Sequence, residues 1–155
     1  YLSFRRDMEA LAAERAAKYG SDTDLAVVQA VFDKMEAVHS KRNAEEEAQL
    51  DAQFHMAIIE ASHNVVMLHM MRSMYELVRG GVFYNRQVMF KQRTSRAALL
   101  DQHRAINDAL QARDPVGARA AIEKHLNFVE ASLNDQQKAE RNEEIARQRL
   151  QHETQ

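Results

Sequence analysis

Apolar residues recur along this chain at intervals of three and four, the period of helices with one buried face. From about residue 3 to 19, Phe4, Met8, Leu11, Ala12 and Ala16 share a face, and the pattern stops near Gly20. SDTD at 21–24 then offers an N-cap. Leu25, Val28, Val31, Phe32, Met35 and Val38 form the stripe of a second helix. The polar break SKRNAEEE leads into a third helix over about 44–62, and SHN at 62–64 reads as a tight corner. A fourth helix follows through Val66, Leu68, Met71, Met74 and Leu77. Gly80 and Gly81 kink or interrupt it, and a further apolar helical piece runs to about Phe90. RTS at 93–95 is expected to cap a fifth helix over about 96–112. RDPVGA is the sharpest boundary, with Asp114 as N-cap and Pro115 at the first helical position. The sixth helix runs from 115 to at least 133.

Short connections make successive helices antiparallel neighbours, so the expected fold is all-α, an antiparallel bundle of six to seven helices. Four glycines and one proline in 155 residues agree with that. After Leu133 only Ile145 and Leu150 are large and apolar. Residues 1–133 therefore read as the folded domain, and 134–155 as a charged helical extension or tail.

Hydrophobic residues make up 45% and charged residues 28% of the chain, as in ordinary globular domains. A net charge of −2 gives no general electrostatic reason to bind DNA or an acidic membrane. The absence of cysteine excludes disulfides, thiolate metal sites and cysteine nucleophiles, and fits a reducing compartment. No apolar run approaches the ~18 residues of a spanning helix, and no secretory leader is visible, so a cytoplasmic location is expected. The chain opens on YLSFRRDME, without an initiator Met and already in helical pattern. That opening reads as a piece of a longer protein, cut just before this domain.

Polar residues on the apolar faces carry the chemistry. The fifth helix has Leu99, His103, Ile106 and Leu110 in one stripe, and the sixth has Ala118, Ile122, His125 and Val129. The third carries Asp51, His55, Ile58 and Ser62 along one side. A lone histidine on such a face is more often a hydrogen-bonded core residue, but position changes that reading here. His103 and His125 lie about equally far on either side of the turn near 113, so an antiparallel hairpin sets them at one height. Asp51 and His55, one helical turn apart, fall near the middle of the third helix. Asp51, His55, His103 and His125 can thus converge at mid-bundle. Neutral imidazoles with one carboxylate suit a divalent ion, Zn²⁺ first, with Ni²⁺, Mn²⁺ or Fe²⁺ as alternatives.

A second metal pattern competes. Glu-x-x-His occurs at Glu36/His39 and Glu60/His63, part of the signature of di-iron bundles. Both pairs close consecutive antiparallel helices, which separates them by roughly 25–30 Å at 1.5 Å per residue. Helix-end histidines favoured by the dipole explain them better. There is no Gly-rich phosphate loop, zinc-protease motif or nucleophile elbow. Aromatic residues, at 6% and without Trp, offer little stacking surface for single-stranded nucleic acid.

LDAQFHMAIIEASHNVVMLHMM followed by LLDQHRAINDALQARDPVGARAAIEKHLNFV resembles the C-terminal effector-sensing domain of FadR-type regulators in the GntR transcription-factor family. FRRDMEALAAERAA resembles that domain's first helix, and NRQVMF at 85–90 is similar to the lactate-, glycolate- and pyruvate-responsive branch. The resemblance covers roughly residues 1–133. It implies a helical bundle that senses a small carboxylate (lactate, glycolate or similar) and signals to a winged-helix DNA-binding domain. That DNA-binding domain would precede residue 1 and is absent from this chain. The resemblance further implies a homodimer, no membrane partner, and contact with DNA only through the absent domain. In many such domains an Asp-x-x-x-His pair and two later histidines hold a divalent metal. Those positions are Asp51, His55, His103 and His125 here. The family's first helix often supplies an arginine to the ligand carboxylate, which falls on Arg5, with Arg86 as a second candidate. The expected function is a ligand-sensing regulatory domain rather than an enzyme. A helical metalloenzyme using the same Asp/His₃ set is the alternative, and a metal-free dimerisation module is the third reading.

Overall fold

The computed structural model describes residues 2–77, 89 and 93–155, and everything below concerns those residues. They form six helices and no strand: α1 (Leu2–Tyr19), α2 (Asp22–His39), α3 (Ala44–Ala61), α4 (Val65–Leu77), α5 (Arg93–Gln111) and α6 (Pro115–Glu153). The glycine pair at 80–81, the apolar piece toward Phe90 and Arg86 lie outside the described residues.

Side-chain pairs fix the directions of the helices. Arg6 reaches Asn127 at 2.8 Å and Arg119 reaches Glu14 at 2.7 Å, so α1 and α6 run antiparallel. Asn107 bonds Gln29 and Gln111 bonds the Leu25 carbonyl, both at 2.8 Å, while Arg96 reaches the His39 carbonyl at the other end. These contacts set α2 against α5, again antiparallel. Glu9 meets His55 and Arg15 meets the Ser62 carbonyl, which makes α1 and α3 parallel. Phe54, Ile58, Ile59, Ile106, Leu110, Ile122 and Leu126 fill the space between these helices and are almost wholly buried. Each contributes about 1.5–3 kcal/mol by leaving water.

Polar caps start α2 and α6 where the sequence led one to expect. Ser21 and Asp24 form a reciprocal capping box on α2. Asp114 caps α6 through the Gly117 N–H, with Pro115 in the first turn. Three corners share a form the sequence reading did not single out. Arg42, His63 and Arg113 adopt left-handed backbone at φ 55°, 52° and 51°. Each is followed by an Asx residue (Asn43, Asn64, Asp114) whose side chain accepts a backbone N–H of the next helix.

Three expectations need correction. RTS at 93–95 lies within α5, which begins at Arg93, and so does not precede the helix as a cap. The inward face of α1 keeps the expected Ala12 and Ala16, with Phe4 and Met8 packed against the core, but adds Ala13, Ala17, Arg5 and Glu9, while Leu11 is exposed. Small side chains let the helix approach its neighbours closely, and the two charged residues are buried because they pair. On α4, Met67 and Met71 face the core and Val66 faces out. The sixth helix continues without a break to Glu153, and every residue from Gln137 onward is exposed.

Candidate metal centre

Three helices bring the four expected side chains together. Asp51 and His55 lie one turn apart on α3, His103 comes from α5 and His125 from α6. One ligand atom from each lies within 4.8 Å of all the others, and all four residues are buried. Asp51 Oδ1 sits 2.9 Å from His103 Nε2 and 3.3 Å from His55 Nε2. The two Nε2 atoms are 3.4 Å apart. The His103 and His125 rings are 4.5 Å between centroids, as the equal spacing about the 113 turn led one to expect. Phe54 packs edge-on against His55 and His103 and closes the apolar side.

The outward nitrogens of two rings are fixed by residues that sequence reasoning missed. His55 Nδ1 lies 2.5 Å from Glu9 Oε1. A carboxylate only accepts, so Nδ1 carries the hydrogen and Nε2 is turned toward the cluster. His125 Nδ1 donates to Gln102 Oε1 at 2.8 Å with the same effect. Arg5, 4% exposed, pairs with Glu9 and lies over the Tyr75 ring. Arg5, Glu9 and His55 thus form a buried relay from α1 to α3. Glu9 had a faint signal, a charge four residues after Arg5 amid inward alanines. Gln102 had none, because its partner is 23 residues away.

Burial and charge pull the imidazoles apart. Burial pushes His55 down, but the Glu9 and Asp51 carboxylates outweigh it and leave its pKa raised. Burial lowers His103, with Asp51 opposing in part. His125 is pushed well below the ordinary histidine range by burial, helped by the charges of His103 and His55. Two neutral imidazoles, a third held by carboxylates and an adjacent Asp form a donor set that suits a divalent ion. Hydrogen-bonded outer nitrogens are the usual companions of metal-binding histidines. The group could therefore hold a metal ion.

The competing Glu-x-x-His pairs are not brought together. His63 bonds Asp24 at the start of α2, whereas His39 ends the same helix, and Glu36 and Glu60 are exposed.

Residues 1–128 match the FCD domain family. The chain belongs to that family. This bears out the resemblance to the sensing half of GntR-family regulators. Among curated proteins, the FCD domain is 36% identical over 132 residues to one named as an L-lactate dehydrogenase operon regulatory protein in Escherichia coli K12. It is 33% identical over 138 residues to the Glc operon transcriptional activator of the same strain, and 29% identical over 134 to the transcriptional regulator LutR of Bacillus subtilis 168. These matches cover 85%, 86% and 86% of this chain but 50%, 54% and 60% of the relatives. The chain thus spans about half the length of the first of them. All three are named as regulators, none as an enzyme. The fold of the FCD domain is shared with McbR/YncC of Escherichia coli, at a TM-score of 0.74 and 20% identity over 86% of this chain and 66% of that one. GntR of Streptococcus agalactiae follows, at 0.66 and 21% over 84% and 56%. None of the helices in the described residues is long and apolar enough to cross a membrane.

Proposed function

We propose that this FCD domain is the effector-sensing part of a cytoplasmic transcriptional regulator, in which Asp51, His55, His103 and His125 bind one divalent metal and the metal site receives a small carboxylate. The observation that carries the reading is the buried Asp/His₃ set itself, with its ligand atoms within 4.8 Å of one another. Burying three imidazoles and a carboxylate in an apolar bundle is costly unless they act together. Zn²⁺ is the first candidate, with Ni²⁺, Mn²⁺ or Fe²⁺ as alternatives. Bound there, such an ion supplies a Lewis-acidic centre with coordination positions left for a carboxylate oxygen.

The ligand class is a 2-hydroxy or 2-keto acid such as lactate or glycolate. Relatives named for the L-lactate dehydrogenase and Glc operons support that class. Arg5 would add carboxylate recognition through its guanidinium, which Glu9 and Tyr75 hold at the buried end of the relay. Arg86 is retained as a second candidate. Residues 1–133 are the sensing and dimerisation domain, and 134–155 a charged extension. A winged-helix domain preceding residue 1 in the whole protein would contact DNA, as a homodimer on two half-sites.

The test is elemental analysis of untagged, chelator-free protein beside His55→Ala/His103→Ala, followed by calorimetric titration with L-lactate and glycolate. About one divalent metal per chain, absent from the variant, with metal-dependent carboxylate binding, is the expected result. A wild type that takes up no Zn²⁺, Ni²⁺ or Mn²⁺ would sink the metal reading. Metal without carboxylate binding would sink the ligand class.

A further inference from the structure

His103 differs from the other two histidines in its outer nitrogen. His55 and His125 each bond a side-chain acceptor there, Glu9 and Gln102. The buried His103 Nδ1 has no hydrogen-bond partner among the described residues. Its Nε2 is taken up with Asp51 at 2.9 Å and His55 at 3.4 Å.

His103 also lines a small cavity that neither Asp51 nor His55 lines, together with Val38, His39, Glu47, Arg96 and Leu100. About 10 Å³ is open to a water centre, room for roughly one molecule. The polar groups around it are organised. Arg96 Nε donates to Glu47 Oε1 at 3.1 Å and Oε2 at 2.9 Å. Arg96 Nη2 donates to Glu47 Oε1 and to the His39 carbonyl. Both side chains are buried. Oε2 accepts a single bond, so it retains capacity for another.

We propose that Glu47 is a positioning residue for His103, acting through one buried water held in this cavity between the Glu47 carboxylate and His103 Nδ1. A water suits this place better than a direct carboxylate. His103 Nε2 faces Asp51, which only accepts, so in the neutral ring Nε2 carries the hydrogen and Nδ1 presents a lone pair. If Nε2 instead offers its lone pair to a metal, the hydrogen resides on Nδ1, which becomes a donor. Water serves both tautomers by turning, whereas a carboxylate serves only the second. The arrangement ties the cluster to the α2–α3 corner, where Arg96 grips the last turn of α2 through the His39 carbonyl. The tautomer change rests on the metal reading of the cluster; the water and its partners do not.

The experiment combines a high-resolution crystal structure of the metal-free protein with Zn²⁺ affinities by chelator competition. The crystal should show an ordered water within hydrogen-bond distance of both His103 Nδ1 and Glu47. A dry cavity, or a direct protein partner on Nδ1, overturns the proposal whether or not metal binds. Glu47→Leu/Arg96→Met replaces both charges with apolar groups, so neither is left buried alone. It should fold and bind Zn²⁺ about 10- to 100-fold more weakly. Unchanged affinity in that variant overturns the role of Glu47. Glu47→Gln keeps an acceptor and should recover most of the loss, which a merely structural role would not require. If the double variant fails to fold, the water in the metal-free crystal decides the proposal. Failure of the wild type to bind Zn²⁺ overturns the metal reading instead, and the water in the metal-free crystal then decides this proposal alone.

Discussion

Glu9 and His55 meet at 2.5 Å across the α1–α3 interface, both almost wholly buried. The contact fixes which nitrogen of the ring faces Asp51, and the Arg5 guanidinium pairs with the same carboxylate from behind. Glu9→Ala should therefore weaken Zn²⁺ binding about 10- to 100-fold. Glu9→Gln, which still accepts from Nδ1–H, should lose much less. Chelator-competition titrations decide it, and equal affinities for Glu9→Ala and wild type would show that the ring needs no such support.

Acid should unsettle the metal-free protein through His103 and His125. Both have lowered pKa values in the fold, so on acidification the unfolded chain takes up protons that the folded chain refuses. Their penalty begins as pH falls through the unfolded value of about 6.5. His55 runs the other way: its raised value adds stability that is fully present below about 6.5 and is lost as pH rises through its folded value. His125 is displaced furthest, well below its ordinary value, so chelator-treated protein should melt lower at about pH 5 than at about pH 7. His125→Gln should flatten that slope in melts followed by circular dichroism.

The fold and most of the cluster were legible because both depend on period. Apolar residues at threes and fours placed the helices, and the same spacing set His103 among Leu99, Ile106 and Leu110, all of them buried. Glu9, Gln102 and the Arg96–Glu47 pair were not legible. Their burial depends on partners 23 to 49 positions away, which no local pattern encodes. The inward face of α1 was legible only in part, for a related reason. A hydrophobicity pattern counts Arg5 and Glu9 as solvent-facing, whereas pairing with each other and with His55 makes them core residues.

Gly20 should not tolerate a side chain. A Cβ there would lie 2.6 Å from the Ala16 carbonyl oxygen and 3.3 Å from that of Ala61, both rigid backbone. Gly20→Ala is expected to destabilise the domain by about 1–3 kcal/mol, the usual range for overpacking. Urea unfolding measures it, and an unchanged midpoint would mean that the α1–α2 corner can shift.

Ending the chain after Leu133 should leave the domain folded. From Gln137 onward no residue is buried, and Ile145 and Leu150 stand exposed at 53% and 65%. The truncated chain should keep its thermal midpoint within the shift of about 0.5 kcal/mol expected of changes to exposed surface. A larger loss would show that the extension packs on something essential to stability.

The helix that supplies His125 is also the one that runs on to Glu153. At 1.5 Å per residue the tip stands about 42 Å from that imidazole. A rod of this length is a pointer: turning it by about 5° at the cluster sweeps its far end through about 4 Å. An adjustment at Asp51 and the three histidines too small to disturb the packing of Ile122 and Leu126 would thereby be magnified at Glu153.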